Sequence, residues 1–381
     1  MGGRTSSLVE ERAVVEVKRH CLADLDGPDL LRRTAAALRR AVPFDAYCAS
    51  TVDPGSNLIT HGIADGWGGE DDQDAETAQA YLDRIYFEHD LDQAATMLRE
   101  RRPVALLSEE TDGKPERSLR HRDLLRPLGF GYEMNSIFVE GNIWGGMDLI
   151  REAGRPDFSP REVELVRRVA PHVGAGLKVA ALRSRAIAVP ADPVGSDVPG
   201  VLTLDRFGRV VSSTPAAERY LAELCDRDPI GRGGRALPVA VRMVGGALDQ
   251  AVAPAADRDP HAVPRVRTRT RAGRWLTLYG SLTEAAADRA GERVIVIAPT
   301  QPDEIAWLNV AAYGVSPREE EVVKLVVRGL STKQMSQTLF ISENTVQRHL
   351  SNIFEKVGVR SRRALLKHLF FEQLLPGLSG D

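Results

Sequence analysis

Within two helical turns the sequence places Asn344, Gln347, Arg348 and Ser351 on one side of a segment whose other side carries Val346, Leu350, Ile353 and Val357. Those four apolar residues recur at offsets of four, three and four, which at about 100° per residue stacks them into one stripe that must be buried. Amide, guanidinium and hydroxyl groups held outward by such an anchor have the donors and acceptors that read base edges in the major groove. Arg360, Arg362 and Arg363 follow directly, where guanidinium groups can meet phosphate oxygens and supply sequence-independent affinity.

A face of this kind needs a scaffold of short helices, and the flanking residues punctuate one. Ser316 precedes Pro317, which suits a first helical position because its missing N–H has no partner there anyway, and Glu319 completes a capping box. Val322, Val323, Leu325 and Val326 give that helix its apolar side, and Gly329 can take the left-handed conformation that ends it. Ser331 with Gln334 forms a second capping box, and Ser342 caps a third helix after Phe340 and Ile341. Gly358 stops the third helix before a fourth opens near Arg362, so the expected fold is all-α and tetrahelical.

The segment SPREEEVVKLVVRGLSTKQMSQTLFISENTVQRHLSNIFEKVGVRSR resembles the LuxR-type helix-turn-helix domain of bacterial transcription regulators, without a gap from Val315 to about Leu374. The resemblance is specific: Pro-Arg-Glu, Gly-Leu-Ser, Ile-Ser-Glu-x-Thr-Val and Gly-Val-x-Ser-Arg occur in order. It implies that the third helix is the recognition helix, with Thr345 and Asn352 near phosphates and Gln347, Arg348 and Ser351 facing base edges. Family members often carry Lys where Ser351 stands, which implies fewer phosphate and guanine contacts there. Lys333 and Lys356 complete the set of residues expected at double-stranded DNA.

At 381 residues the chain exceeds one typical core. Residues 315–381 hold 10 Lys and Arg against 7 Asp and Glu, while the whole chain has 50 against 53, so basic charge is concentrated where DNA is expected. No apolar run approaches the roughly 20 residues of a membrane helix and no leader-like segment opens the chain, which predicts a cytoplasmic protein without membrane contact. Cys21, Cys48 and Cys225 are scattered and odd in number, the pattern of small core residues rather than of disulfides or a zinc site. His61, His89 and His121 are isolated, and neither a metal nor a cofactor is expected.

Clusters of Pro, Ala and Asp at residues 187–200 and 298–303 read as linkers. They divide the chain into a sensor module (8–186), a middle module (197–300), a linker helix (301–314) and the helix-turn-helix (315–376). In the first, Leu30, Leu31, Ala35 and Leu38 mark a helix, residues 44–51 and 58–61 a hairpin around Asp53-Pro54-Gly55-Ser56-Asn57, and residues 134–139 and 144–151 a second hairpin. Ser159-Pro160-Arg161-Glu162 opens a last helix; the same four residue types recur at Ser316, but nothing after Glu162 repeats the later motifs, so these are independent helix starts. This order resembles GAF domains, an α/β sandwich.

The middle module opens on a strand from Gly200, an Asp205-x-x-Gly208 turn, a strand over Val210–Ser213 and a helix past Tyr220, and closes with strands near Trp275 and Val294. It resembles PAS domains, an α+β fold, and the whole is an α+β multidomain chain. Aromatic walls with a few polar groups suit a small ligand, and Tyr47, His61, Tyr86, Tyr132 and Trp144 are the candidate pocket.

Catalytic readings fail on the motifs. His121-Arg122-Asp123 lacks the downstream Asn of a kinase loop, since Leu128 stands there, and no G-x-x-x-x-G-K-[ST] is present. The chain is therefore expected to be no enzyme. The crowded apolar residues of the last helix, from Leu365 to Leu375, predict a covering surface, read here as a homodimer that recognises an inverted repeat. The alternative is an interaction protein acting on RNA polymerase or another regulator, with DNA contact secondary.

Overall fold

The computed structural model describes residues 2–67, 77, 80–81, 93–183, 198–205, 207–225, 237–252, 263–270, 272–283, 292–301, 304 and 313–366. Two compact units divide the chain, one of Met1–Val139 with Ile143–Pro299 and one of Glu140–Asn142 with Thr300–Asp381.

The first unit contains two antiparallel five-stranded sheets. Sheet one comprises β1 (Ala46–Val52), β2 (Ile59–Asp65), β3 (Val104–Leu106), β4 (Phe130–Glu140) and β5 (Asn142–Glu152), in the order β2-β1-β5-β4-β3. Helices α1 (Gly2–Leu22), α2 (Gly27–Leu38) and α5 (Pro160–Arg183) pack on one another and cover one face, while α3 (Gln93–Arg99) and α4 (Leu107–Glu110) flank β3. The side chain of Asp26 caps α2 by accepting from Asp29 N, and Leu30, Leu31, Ala35 and Leu38 are buried at the predicted spacing. Gly174 lets α5 approach the sheet, since a Cβ there would lie 2.8 Å from the Val139 carbonyl oxygen. The Ser159–Glu162 capping box forms, and Arg151 adds an ion pair to the same carboxylate at 2.5 Å.

Sheet two comprises β6 (Gly200–Leu204), β7 (Val210–Ser213), β8 (Arg265–Arg269), β9 (Trp275–Leu282) and β10 (Arg293–Pro299), in the order β7-β6-β10-β9-β8, the arrangement of sheet one repeated. Leu202, Leu204, Leu276, Leu278, Ile295 and Ile297 alternate inward at period two and pack on α6 (Pro215–Cys225) and α7 (Val239–Val252). The Asp205 turn forms as read, its carboxylate accepting from Phe207 N at 2.8 Å and Arg209 N at 2.9 Å.

Three modules in the sequence thus become two units, because the first two share a junction. The edge strands β2 and β8 lie together, so each covers hydrogen-bonding groups the other would expose. Asp53, part of the predicted hairpin turn, also receives Arg267 N at 3.0 Å and Arg267 Nη2 at 3.0 Å, with the two side chains 1% and 3% exposed. Val239 and Met243 of α7 enter the core that holds Val52 and Ile59. The segment read as a linker at 187–197 lies outside the described residues, as do most of the linker helix and the last-helix leucines beyond Leu366.

The second unit contains α8 (Pro317–Val327), α9 (Thr332–Leu339), α10 (Glu343–Val357) and α11 (Arg362–Leu366) around one core of Val322, Val323, Met335, Val346, Leu350, Ile353 and Leu365. Helices α8, α9 and α10 start at the predicted caps, α8 and α10 stop before Gly329 and Gly358, and α11 is described as far as Leu366.

Candidate nucleic-acid interface

Local hydrogen bonds set the frame for α10. Ser316 Oγ accepts from Glu319 N while the Glu319 carboxylate accepts from Ser316 N at 2.8 Å, and Ser331 with Gln334 repeats the device. Ser342 Oγ accepts from Thr345 N at 3.1 Å, and Gly358 closes the helix at φ 75°. Between α9 and α10, Phe340 takes φ 53° and is 94% exposed. A bulky side chain in the left-handed region stores strain, and the tight turn that aims α10 rests on it.

Val346, Leu350, Ile353 and Val357 are buried as one stripe, and Asn344, Gln347, Arg348, Ser351 and Asn352 are exposed on the rest of the helix. The structure therefore brings the base-reading candidates together on one outward face. Gln347 Nε2 also leans on Thr332 Oγ1 at 3.3 Å, and Thr345 is half-buried with its hydroxyl against Ser342 Oγ. Lys333 and Arg360 are exposed beside this face in sequence, on α9 and after α10.

Two of the expected DNA contacts are engaged internally. Arg362 donates to the Leu330 carbonyl at 3.2 Å and to Thr332 Oγ1 at 2.6 Å, joining α11 to the start of α9. Lys356 places its ammonium 2.6 Å from the Glu319 carboxylate and 2.9 Å from the Gly314 carbonyl. Their spacing put both near phosphates, but only the packed helices reveal that nearer acceptors already hold them.

Burial by itself raises the Glu319 carboxyl, but Lys356 and the Ser316 N–H and hydroxyl outweigh it, leaving the group below its ordinary value of 4.5. Its stabilising contribution is complete above that value and is lost as pH falls through the lowered one. Lys356→Gln is expected to cost the second unit about 1–2 kcal/mol, less than a fully buried pair because the Lys356 side chain is 36% exposed. The dependence of DNA affinity on salt should keep its slope in that variant; a fall of about 0.9 in the log–log slope would instead place Lys356 at a phosphate.

The described candidate ligand residues do not share one face of the sheet. Tyr47 and His61 stand on one face of sheet one, because Thr51 pairs with His61 and lies four residues from Tyr47. Gly145 also pairs with Thr51, so Trp144 points to the opposite face. Tyr47 packs edge-on against Phe44, with the Arg39 guanidinium near both rings, and burial pushes its hydroxyl up to about 12. His61 belongs to the β2–β8 junction, with Nε2 3.0 Å from the Arg269 carbonyl and Nδ1 3.2 Å from Thr51 Oγ1. Tyr132 is half-buried at the start of β4, and Tyr86 lies outside the described residues. Aromatic content alone carried this set, and the alternation of strand faces disperses it. Cys21 and Cys48 behave as core residues, and burial raises the Cys21 thiol to about 11, far from thiolate chemistry at neutral pH.

On the Trp144 face the structure assembles a polar cluster the sequence did not signal. Arg120 and Glu133 form an ion pair at 3.0 Å with side chains 1% and 0% exposed. Tyr81 donates to Glu133 Oε1 at 2.7 Å, and Asn135 Nδ2 bridges Glu133 to Asp148 Oδ1, the latter at 2.8 Å. The one signal available was alternation: Glu133 and Asn135 stand at polar positions of period two inside an apolar strand.

The model of the luxR family of bacterial regulatory proteins matches residues 314–369, and that of the GAF domain matches residues 26–177. The spore germination protein GerE of Bacillus subtilis is 46% identical over 48 residues, 13% of this chain and 65% of that protein. The nitrate/nitrite response regulator homolog of Haemophilus influenzae is 46% identical over 59 residues, 16% of this chain and 28% of its own length. An HTH-type transcriptional regulator of Mycobacterium bovis is 44% identical over 52 residues, 14% of this chain and 6% of that protein, so the match spans less than two thirds of each relative. A Vibrio cholera VqmA–ligand–DNA complex aligns at 14% identity over 46% of this chain and 83% of that one, with a TM-score of 0.20, too low to carry an argument. Residues 314–369 are thus a helix-turn-helix domain of the luxR family of bacterial regulatory proteins, and residues 26–177 are a GAF domain.

Proposed function

We propose that the protein is a sequence-specific DNA-binding transcriptional regulator whose N-terminal modules sense a small molecule or a partner. The observation that carries this reading is α10: Asn344, Gln347, Arg348 and Ser351 are all exposed over a fully buried apolar stripe. The Mycobacterium bovis and Haemophilus influenzae relatives are regulators, and the luxR-family match over residues 314–369 holds this helix. Residues 197–300 are the PAS-like module, a reading supported by the second sheet's strand order and its Asp205 turn. The protein acts in the cytoplasm on the chromosome; among the described residues no helix is long and apolar enough to cross a membrane.

The active form is a homodimer on an inverted repeat. Leu8, Val15 and Leu22 are 61%, 64% and 82% exposed at heptad spacing along α1, a stripe that a second copy would cover. RNA polymerase is the partner through which a DNA-bound dimer would alter transcription.

Selection from pooled random duplexes with the full chain tests the reading: a paired half-site should emerge, with centres about one helical turn apart. Recovery of no preferred sequence, with salt-insensitive binding to a protein instead, would favour the interaction-protein alternative. Arg348→Ala should weaken the selected site by about 1–3 kcal/mol and relax preference at one position. An unchanged sequence preference in that variant would mean the reading face lies elsewhere.

A further inference from the structure

Two carboxylates and one guanidinium meet on the β4–β5 face opposite α1, α2 and α5. Arg120 donates through Nε and Nη2 to Glu133, which also receives the Tyr81 hydroxyl and the Asn135 amide. Glu133 is thereby matched in charge and saturated in donors. Asp148 receives the same Asn135 amide at 2.8 Å, while the Arg120 guanidinium pairs with Glu133 at 3.0 Å. Unlike Glu133, Asp148 retains accessible surface. For a carboxylate that is enclosed yet accessible, where burial and the Glu133 charge outweigh the Arg120 attraction and the Tyr81 hydroxyl, the bare charge is disfavoured unless a proton or another cation joins it.

A second observation points to a missing donor. Asn135 is 4% exposed and its Oδ1 has no hydrogen-bond partner among the described residues. The amide's orientation is set by its nitrogen, which lies between two acceptors, so Oδ1 is correctly an acceptor left without a donor. A packed apolar core stands beside these groups. Trp67, Tyr81 and Phe130 form one aromatic cluster, with ring centroids 5.2 Å and 5.8 Å from Trp67, and the Tyr81 hydroxyl links it to Glu133.

We propose that this cluster binds a small organic ligand through a primary ammonium group, which Asp148 and Asn135 Oδ1 receive. The proposal deepens the sensing role given to the GAF domain and names the chemical class sensed. Among the described residues, the charged and titratable groups that face Asp148 are Glu133 and Arg120, with the Tyr81 hydroxyl donating to it. Burial first, and then the Glu133 charge, raise the Asp148 carboxyl to about 7. Burial lowers the neighbouring His121 below its ordinary value and raises Tyr81 well above its ordinary range. In this frame the ammonium replaces the proton that Asp148 otherwise holds.

The test measures ligand binding to the full chain without DNA, by calorimetry and thermal shift, with phenethylammonium and n-butylammonium against 2-phenylethanol and n-butanol. The ammonium probes should bind and the alcohols should not. Affinity for the ammonium should fall about tenfold from pH 8 to pH 6, as the proton competes for Asp148 through its value near 7. Asp148→Asn, which keeps shape and removes the charge, should lose at least tenfold in affinity and lose the pH dependence. Absence of binding by both ammonium probes, equal binding of the alcohols, or an Asp148→Asn variant that binds as before would each overturn the proposal. The wild-type pH profile decides even where the variant fails to fold. Selection of duplexes without ligand is scored separately, so failure of the DNA reading and failure of this one are distinguishable.

Discussion

Replacing Asp53 by Ala is expected to lower the unfolding free energy of the first unit by about 3–5 kcal/mol, the range for removing one partner of a buried ion pair. Arg267 is 3% exposed and directs its backbone N–H, Nε and Nη2 at this carboxylate, so the substitution removes three accepted bonds and the local countercharge together. The same carboxylate also accepts from Gly55 N at 3.0 Å, so the β1–β2 turn loosens with the junction. Urea titration followed by tryptophan fluorescence reads the effect, since Trp67 and Trp144 report on the first sheet and Trp275 on the second. One transition in the wild type and two non-coincident ones in the variant are expected, because Asp53–Arg267 joins the two sheets. An Asp53→Leu, Arg267→Met double variant should recover much of the loss, as apolar replacement of a complete buried pair often does. A shift below about 1 kcal/mol in Asp53→Ala would show that the apolar contacts of Val239 and Met243 hold the modules without it.

Leu350→Ala should cost the second unit about 2–5 kcal/mol, a transfer loss plus the cavity left in a core that cannot collapse around it. Leu350 is 2% exposed between Val346 and Ile353, which are 0% exposed, and it anchors the recognition helix to α8 and α9. A domain of this size has a stability of the same order, so the variant should populate unfolded second unit and lose DNA affinity at every sequence. Circular dichroism melts of the full chain, set beside binding isotherms, separate this from Arg348→Ala. The arginine variant should lose affinity with its melt unchanged, the leucine variant both. Full DNA affinity in Leu350→Ala with an unshifted melt would mean that the buried stripe of α10 is wrongly identified.

The helix-turn-helix was legible because its determinants are short-range. Each cap closes between residues three apart, as in Ser316–Glu319, Ser331–Gln334 and Ser342–Thr345, so residue type and spacing nearly decide the bond. Helical periodicity likewise separates the buried Val346 stripe from the exposed Arg348 face without any knowledge of neighbours. Lys356 and Arg362 mark the limit of that reasoning. Both are basic and well placed along the chain, and only the approach of α8 and α9 brings Glu319 and Thr332 within their reach.

Strands in the N-terminal modules were legible as apolar runs around turn residues, and both hairpins of the first sheet stand where those runs lie. What lines a pocket was not, because neighbouring strand residues point to opposite faces and the register between strands decides which of them meet. Tyr47 and Trp144 are separated in this way by the pairing of Thr51 with Gly145.

By itself, then, the sequence determined the four C-terminal helices, their caps and their outward chemistry, since those depend on hydrogen bonds and periodicities spanning a few residues. Only the tertiary structure decided the union of the first two modules through Asp53 and Arg267, 214 residues apart, and the meeting of Tyr81 with Glu133 across 52. The partners of such pairs are not legible in the chain, because the burial that makes them strong exists only once distant strands have packed.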